Sequence, residues 1–192
     1  AVGHTAMQYM TEGTDNVAIG AASLFTVTTG TQNTAVGARA LLNGTTGSCN
    51  VGVGYLSGTA ITSATRNTSV GWKALCLNQT GDANTAVGRE ALAATTNGNN
   101  TAVGAEAGAA NTTGTIVAVG SGALQANTTG DNNIAVGSEA QRRTTTGSNN
   151  IAIGFGALDV NTIGTENIAI GYAALDANID GDSNIGIGHG AL

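Results

Sequence analysis

One glycine recurs through the whole chain at an almost fixed interval. Nine of its eleven intervals are 17 residues and two are 16. A fixed period of this length is typical of repeat proteins, in which each copy is one small unit that stacks on its neighbours. We therefore predict one repeat domain over residues 1–192. The recurring residue, called the motif glycine below, stands at Gly3, Gly20, Gly37, Gly54, Gly71, Gly88, Gly104, Gly120, Gly137, Gly154, Gly171 and Gly188.

Composition supports a repeat rather than an ordinary compact domain. The chain has 30 Gly, no Pro, 3% aromatic and 9% charged residues, which leaves too little bulky apolar volume for a conventional core. Its net charge is -6, and only Arg142 and Arg143 among six basic residues are adjacent. Without a basic stripe, no nucleic-acid partner is predicted. No stretch has the length of a transmembrane helix, so no direct membrane insertion is predicted either.

Each copy has three parts, illustrated by the copy around Gly171. Before the glycine, Ile168-Ala169-Ile170 alternates branched and small residues, which is a strand pattern. After it come two variable residues, an Ala and usually a Leu. This piece is too short to be a stable helix and is predicted to be a second short strand. A polar turn with a second glycine, the turn glycine, completes the copy. We expect Ile168, Ile170 and Leu175 to be core residues and Ala169 and Gly171 to allow close packing.

Stacking these copies predicts an all-β fold. Equivalent residues would lie above one another in a parallel β-solenoid of about twelve 17-residue rungs, about 4.8 Å apart. The interior of such a solenoid leaves no room for a cofactor, and none is predicted. The chain starts and ends within a repeat, so we expect it to be a segment of a longer or processed protein.

An asparagine four residues before the motif glycine is the most regular polar feature. Stacked side-chain amides can bond to one another along the solenoid axis or cap a turn. We therefore predict a structural ladder rather than a ligand site. Its members are Asn16, Asn33, Asn50, Asn67, Asn84, Asn100, Asn133, Asn150, Asn167 and Asn184.

The position directly after the motif glycine varies most and is the candidate surface contact column. It could contact another subunit, contact carbohydrate, or be an ordinary variable surface column. The large members of this column are His4, Tyr55, Trp72, Arg89, Phe155, Tyr172 and His189.

Other polar residues give little indication of chemistry. The two histidines lie at opposite ends of the chain, and no catalytic set is apparent. The GDxN segments at Gly81, Gly130 and Gly181 could offer oxygens to calcium, but they also fit Asx turns. Cys49 and Cys76 lie in neighbouring copies, and the sequence does not decide whether they pair. We predict no enzyme and no metal site.

The motif Asn-x-[Ala/Ser/Gly]-[Val/Ile]-Gly-x-x-[Ala/Ser] resembles the YadA-like head repeat of trimeric autotransporter adhesins. The resemblance covers essentially the whole chain, although the rung here is longer. It implies a left-handed parallel β-roll that assembles as a homotrimer or filament. Similar repeats also occur in phage and viral fibre proteins.

These features together predict a structural or adhesive segment of an extracellular fibre that presents a repetitive surface for multivalent contacts. The alternative is the shaft of a virion or phage tail fibre involved in host attachment. Host-surface glycans or matrix proteins are the expected external partners. We expect the protein at a cell surface, outside the cell, or on a virion.

Overall fold

The computed structural model describes residues 1–192 and contains one parallel sheet of eleven strands in sequential order. This confirms the predicted parallel β-solenoid. The first of the twelve copies adds only a single bridge between Val2 and Ile19. The structure has no helix that could cross a membrane. The strands are β1 (Val17–Ile19), β2 (Thr34–Val36), β3 (Val51–Val53), β4 (Thr68–Val70), β5 (Thr85–Val87), β6 (Thr101–Val103), β7 (Ile116–Val119), β8 (Asn133–Val136), β9 (Ile151–Ile153), β10 (Ile168–Ile170) and β11 (Ile185–Ile187).

The strands pair in register with the equivalent residue of the next copy. Ile151 lies beside Ile168, and Ile168 lies beside Ile185. The two 16-residue copies keep this register, because Thr101 pairs with Val117. The turns absorb the missing residues, as loops generally do.

The predicted second strand is wrong. The residues after each motif glycine form a turn, and alternate positions have positive φ, such as Ala173 at 49° and Leu175 at 50°. A β-strand needs strongly negative φ throughout. The turns of neighbouring rungs are still hydrogen-bonded to each other, since the Leu158 N–H donates to the Ala174 carbonyl at 3.0 Å. The left-handed residues curl the chain so that the Leu side chain points into the solenoid.

The interior is lined by small residues and, in most copies, one Leu, which corrects the predicted core. Ala169 is fully buried and Leu175 is 6% exposed, but Ile170 is 37% exposed and Ile168 is only half-buried. The reason is the narrow cross-section. A Cβ at Gly186, in the Ala169 column, would lie 2.7 Å from Leu175 Cγ. Only a small residue fits opposite the Leu, so the branched residues face outward.

The motif glycines are required by both conformation and space. Gly171 has a φ of +131°, and an added Cβ would lie 2.5 Å from the Gly188 carbonyl oxygen. Residues with a side chain rarely adopt such a φ. The rungs can therefore stack at strand spacing only because this column lacks side chains.

The asparagine column forms a buried hydrogen-bonded ladder. Asn150 Oδ1 accepts the backbone N–H of Asn167 at 3.0 Å and its Nδ2 at 3.2 Å. Asn150 Nδ2 donates to Asn133 Oδ1 at 3.2 Å and to the Gly164 carbonyl at 2.9 Å. One side chain thus bonds to both neighbouring rungs. The ladder thus provides hydrogen-bond partners for backbone groups that strand pairing does not satisfy, such as the Asn167 N–H and the Gly164 carbonyl.

A second buried amide column lies in the turn and was not predicted. Asn161 Nδ2 donates to the Gly164 carbonyl at 3.0 Å, and Asn178 Nδ2 donates to Asn161 Oδ1 at 3.3 Å. Asn78, Asn111 and Asn127 occupy the same position in other rungs and are fully buried. The polar turn is therefore part of the packed interior.

In one irregular rung, two departures from the repeat compensate for each other in volume. Gly108 stands where most copies have Leu, and Ile116 stands where the other copies have the ladder Asn. Ile116 is 1% exposed, and its Cδ1 lies 2.6 Å from the place of a Cβ at Gly108. The isoleucine side chain therefore fills the space that the missing Leu leaves.

Candidate interaction surface

The outward side chains of the sheet form two apolar columns along the whole molecule, called the outer sheet face below. Strand alternation places them there, since the residue between them faces inward. Ile134 is 38% exposed and Ile153 is 41% exposed. The first column is Val17, Thr34, Val51, Thr68, Thr85, Thr101, Val117, Ile134, Ile151, Ile168 and Ile185, and the second is Val2, Ile19, Val36, Val53, Val70, Val87, Val103, Val119, Val136, Ile153, Ile170 and Ile187.

No charged residue lies in either column of the outer sheet face. Every position is Val, Ile or Thr. The side chains of this strip are half-buried in β2 to β5 and more exposed towards both ends of the sheet, and large exposed apolar patches are candidates for interaction surfaces. The sequence interpretation missed this face because it assigned the branched residues to the core.

The sequence contained one signal for the correct assignment. Asn167 and Ala169 are two residues apart in an extended segment, so their side chains lie on the same side. A buried Asn ladder would therefore require Ala169 to be buried too, and Ile168 and Ile170 to face out. The sequence predicted a structural ladder but not its burial, so this link between the two columns was not used.

The candidate surface contact column borders the outer sheet face and is exposed. Tyr55, Trp72, Phe155 and Tyr172 are between 42% and 53% exposed. His4, Arg89 and His189 are exposed as well. Equivalent residues lie one rung apart, and in the last three copies this brings large side chains of the column into contact.

Three aromatic rings of this column form a continuous stack. The Phe155 and Tyr172 ring centroids are 5.5 Å apart, and those of Tyr172 and His189 are 4.9 Å apart. The rings are within 13° of parallel. Their faces therefore cover one another, and the column presents ring edges to its surroundings. Elsewhere in the column, Lys73 Nζ lies 4.4 Å from the Trp72 ring centroid.

Charged side chains pair with one another in and beside this column. Arg89 contacts Glu90 and Glu106. Arg142 contacts Glu139 at 3.4 Å and Asp159 at 3.1 Å. These groups are partly exposed, so each pair adds little stability. These charges therefore already have partners of opposite sign within the chain.

The GDxN aspartates bond to the preceding rung and do not close local Asx turns. Asp182 Oδ1 accepts the backbone N–H of Thr165 at 2.7 Å and its hydroxyl at 2.9 Å. These hydrogen bonds, the backbone one first, lower the pKa of Asp182. Asp82 makes the same contacts with Thr65. No group of three His, Cys, Asp or Glu side chains is placed to hold a metal ion.

The two cysteines are both free. Cys49 is exposed, and Cys49 Sγ lies 3.2 Å from Gln32 Oε1. Cys76 is half-buried, and burial raises the pKa of its thiol. The question that the sequence left open is thus answered against an intramolecular disulfide.

No protein-family model, curated protein or solved structure matches this chain.

Proposed function

We propose that the chain is a structural segment of an extracellular fibre, in which copies of the chain pack through the outer sheet face. The observation that carries this proposal is the continuous, uncharged strip of Val, Ile and Thr along all eleven strands. The homotrimer is the assembly that the resemblance to YadA-like heads implies. In it, each outer sheet face would turn toward the common axis.

The size of the strip can be compared with known interfaces. Eleven strands about 4.8 Å apart extend over about 50 Å, and the three residues of one strand are about 10 Å wide. The outer sheet face alone therefore covers about 500 Å² on each copy, whereas stable protein interfaces bury about 800 Å² per partner. In the proposed packing, the bordering contact column supplies the remaining area.

Periodicity favours a second copy over an unrelated partner. The apolar side chains recur once per rung, about 4.8 Å apart over the whole length. Another copy offers the same spacing over the same length. The nearby charges of Arg89 and Arg142 already have partners in their own chain, so the strip needs no charged partner surface.

Assembly would give a stiff rod that holds surface columns at regular axial spacing. Weak contacts made by such columns add through multivalency, which suits an adhesive segment whose external partners are host glycans or matrix proteins. In the stack of Phe155, Tyr172 and His189, rings cover both faces of Tyr172 and one face of each of the other two. Sugars stack on ring faces, so this part of the contact column favours contact with a neighbouring subunit.

The proposal is tested by placing a charge in the outer sheet face. Ile153→Glu would bury carboxylates between copies and should abolish assembly, because an unpaired buried charge is strongly unfavourable. Ile163→Glu is the matched control. Ile163 is 56% exposed and lies in the polar turn, ten residues after Ile153 and outside the strands.

Light scattering coupled to size-exclusion chromatography measures the mass of both variants. We expect monomeric Ile153→Glu and an assembled Ile163→Glu. Equal masses for the two variants and the unmodified protein would contradict the use of this face.

A further inference from the structure

The outer sheet face is not uniform along the molecule. In the first column, four of the six residues from β1 to β6 are threonine, namely Thr34, Thr68, Thr85 and Thr101. From β7 to β11 the same column is Val117, Ile134, Ile151, Ile168 and Ile185. The second column changes in the same direction, from mostly Val to Ile153, Ile170 and Ile187 in the last three strands.

The four outer threonines differ from the threonines of the turns. Turn hydroxyls donate to carbonyls one rung away, as Thr28 Oγ1 does to Thr45 at 3.0 Å and Thr45 Oγ1 to Thr62 at 3.2 Å. The hydroxyls of the outer threonines donate to no group of their own chain. Burying such a hydroxyl without a new partner costs free energy, whereas burying an isoleucine side chain releases it.

We infer that self-association is polarised along the rod. This rests on the proposed packing of copies through the outer sheet face. Strands β7 to β11 form a dry, apolar contact with the second copy, and the threonine-bearing strands β2, β4, β5 and β6 form a weaker contact that retains water. The half from β7 onward therefore supplies most of the affinity, and the assembly opens from the threonine-rich half.

Two reciprocal double variants test this inference. Ile151→Thr with Ile168→Thr puts threonine into two adjacent strands of the apolar half. Thr68→Val with Thr85→Val removes the hydroxyls from two adjacent strands of the other half. Both pairs lie in the same column and face outward, so the fold of each copy should be retained, which circular dichroism checks.

The measurement is the concentration at half-assembly, obtained by sedimentation at several loading concentrations. One buried methylene changes an equilibrium constant about fourfold. We expect the isoleucine-to-threonine pair to raise the half-assembly concentration at least about tenfold, and the threonine-to-valine pair to lower it at least about tenfold.

The inference is overturned if the threonine-to-valine pair weakens assembly, because the hydroxyls would then form needed contacts across the interface. It is also overturned if either pair leaves the concentration unchanged. A monomeric unmodified protein would contradict the proposed assembly itself, and this inference with it, so the two failures are distinguishable.

Discussion

Asn150 shows how one side chain can hold a rung on both sides. Its amide bonds to Asn133 and Asn167 and to the Gly164 carbonyl. All of these groups lie in the interior, where water cannot replace a lost partner. Asn150 is therefore structural, because both polar atoms of its side chain already have partners within the chain.

Replacing Asn150 with Ala should destabilise the fold. The change leaves the buried Asn167 N–H without an acceptor, and unsatisfied buried groups of this kind cost about 1–3 kcal/mol each. We expect the thermal midpoint to fall by roughly 5–10 °C. Asn43→Ala is the control, because Asn43 is exposed and such surface changes usually stay within about 0.5 kcal/mol. Equal midpoints in calorimetry would argue against the ladder.

At the scale of the strand and its turn, the sequence predicted the period, the strand and the parallel order correctly. It did not predict which side of the strand is buried. Alternation in Ile168-Ala169-Ile170 defines two sides but does not orient them, and the usual rule that large apolar residues face inward failed. The interior is too narrow beside Leu175. The second strand was predicted wrongly because Leu175 itself gives no indication of its positive φ; the indication lay in Gly58 and Gly108, which occupy the same position in other copies.

The rung that contains Gly108 tests how the elements fit together. Gly108→Leu alone should clash with Ile116, and Ile116→Asn alone should leave a cavity costing about 2–4 kcal/mol. The double variant restores both consensus residues, and Gly108 already has the positive φ of 58° that the Leu column adopts.

We therefore expect the double variant to be close to the unmodified protein in stability. Chemical denaturation of all four proteins gives the coupling energy between the two sites, which should equal the sum of the two single losses and so exceed the loss of about 2–4 kcal/mol in Ile116→Asn alone. Additive losses would mean that Ile116 does not occupy the space of the missing Leu.

At the scale of the whole molecule, each rung binds only the rungs before and after it, as in other solenoids. This arrangement buries Ala, Leu and Asn, while the Val and Ile side chains of the two outer columns face outward along the sheet. A sequence prediction that assigns those residues to the core leaves no apolar surface for a partner. In the structure they lie outside the core and form the candidate interface.

Sedimentation equilibrium of the unmodified protein tests the central claim most directly. If the outer sheet face packs between copies as a homotrimer, the measured mass should be three times the 18.7 kDa of one chain, and dilution should lower it by mass action. A mass of 18.7 kDa at every concentration, up to the limit of solubility, would contradict the account, because the apolar strip would then remain open to water.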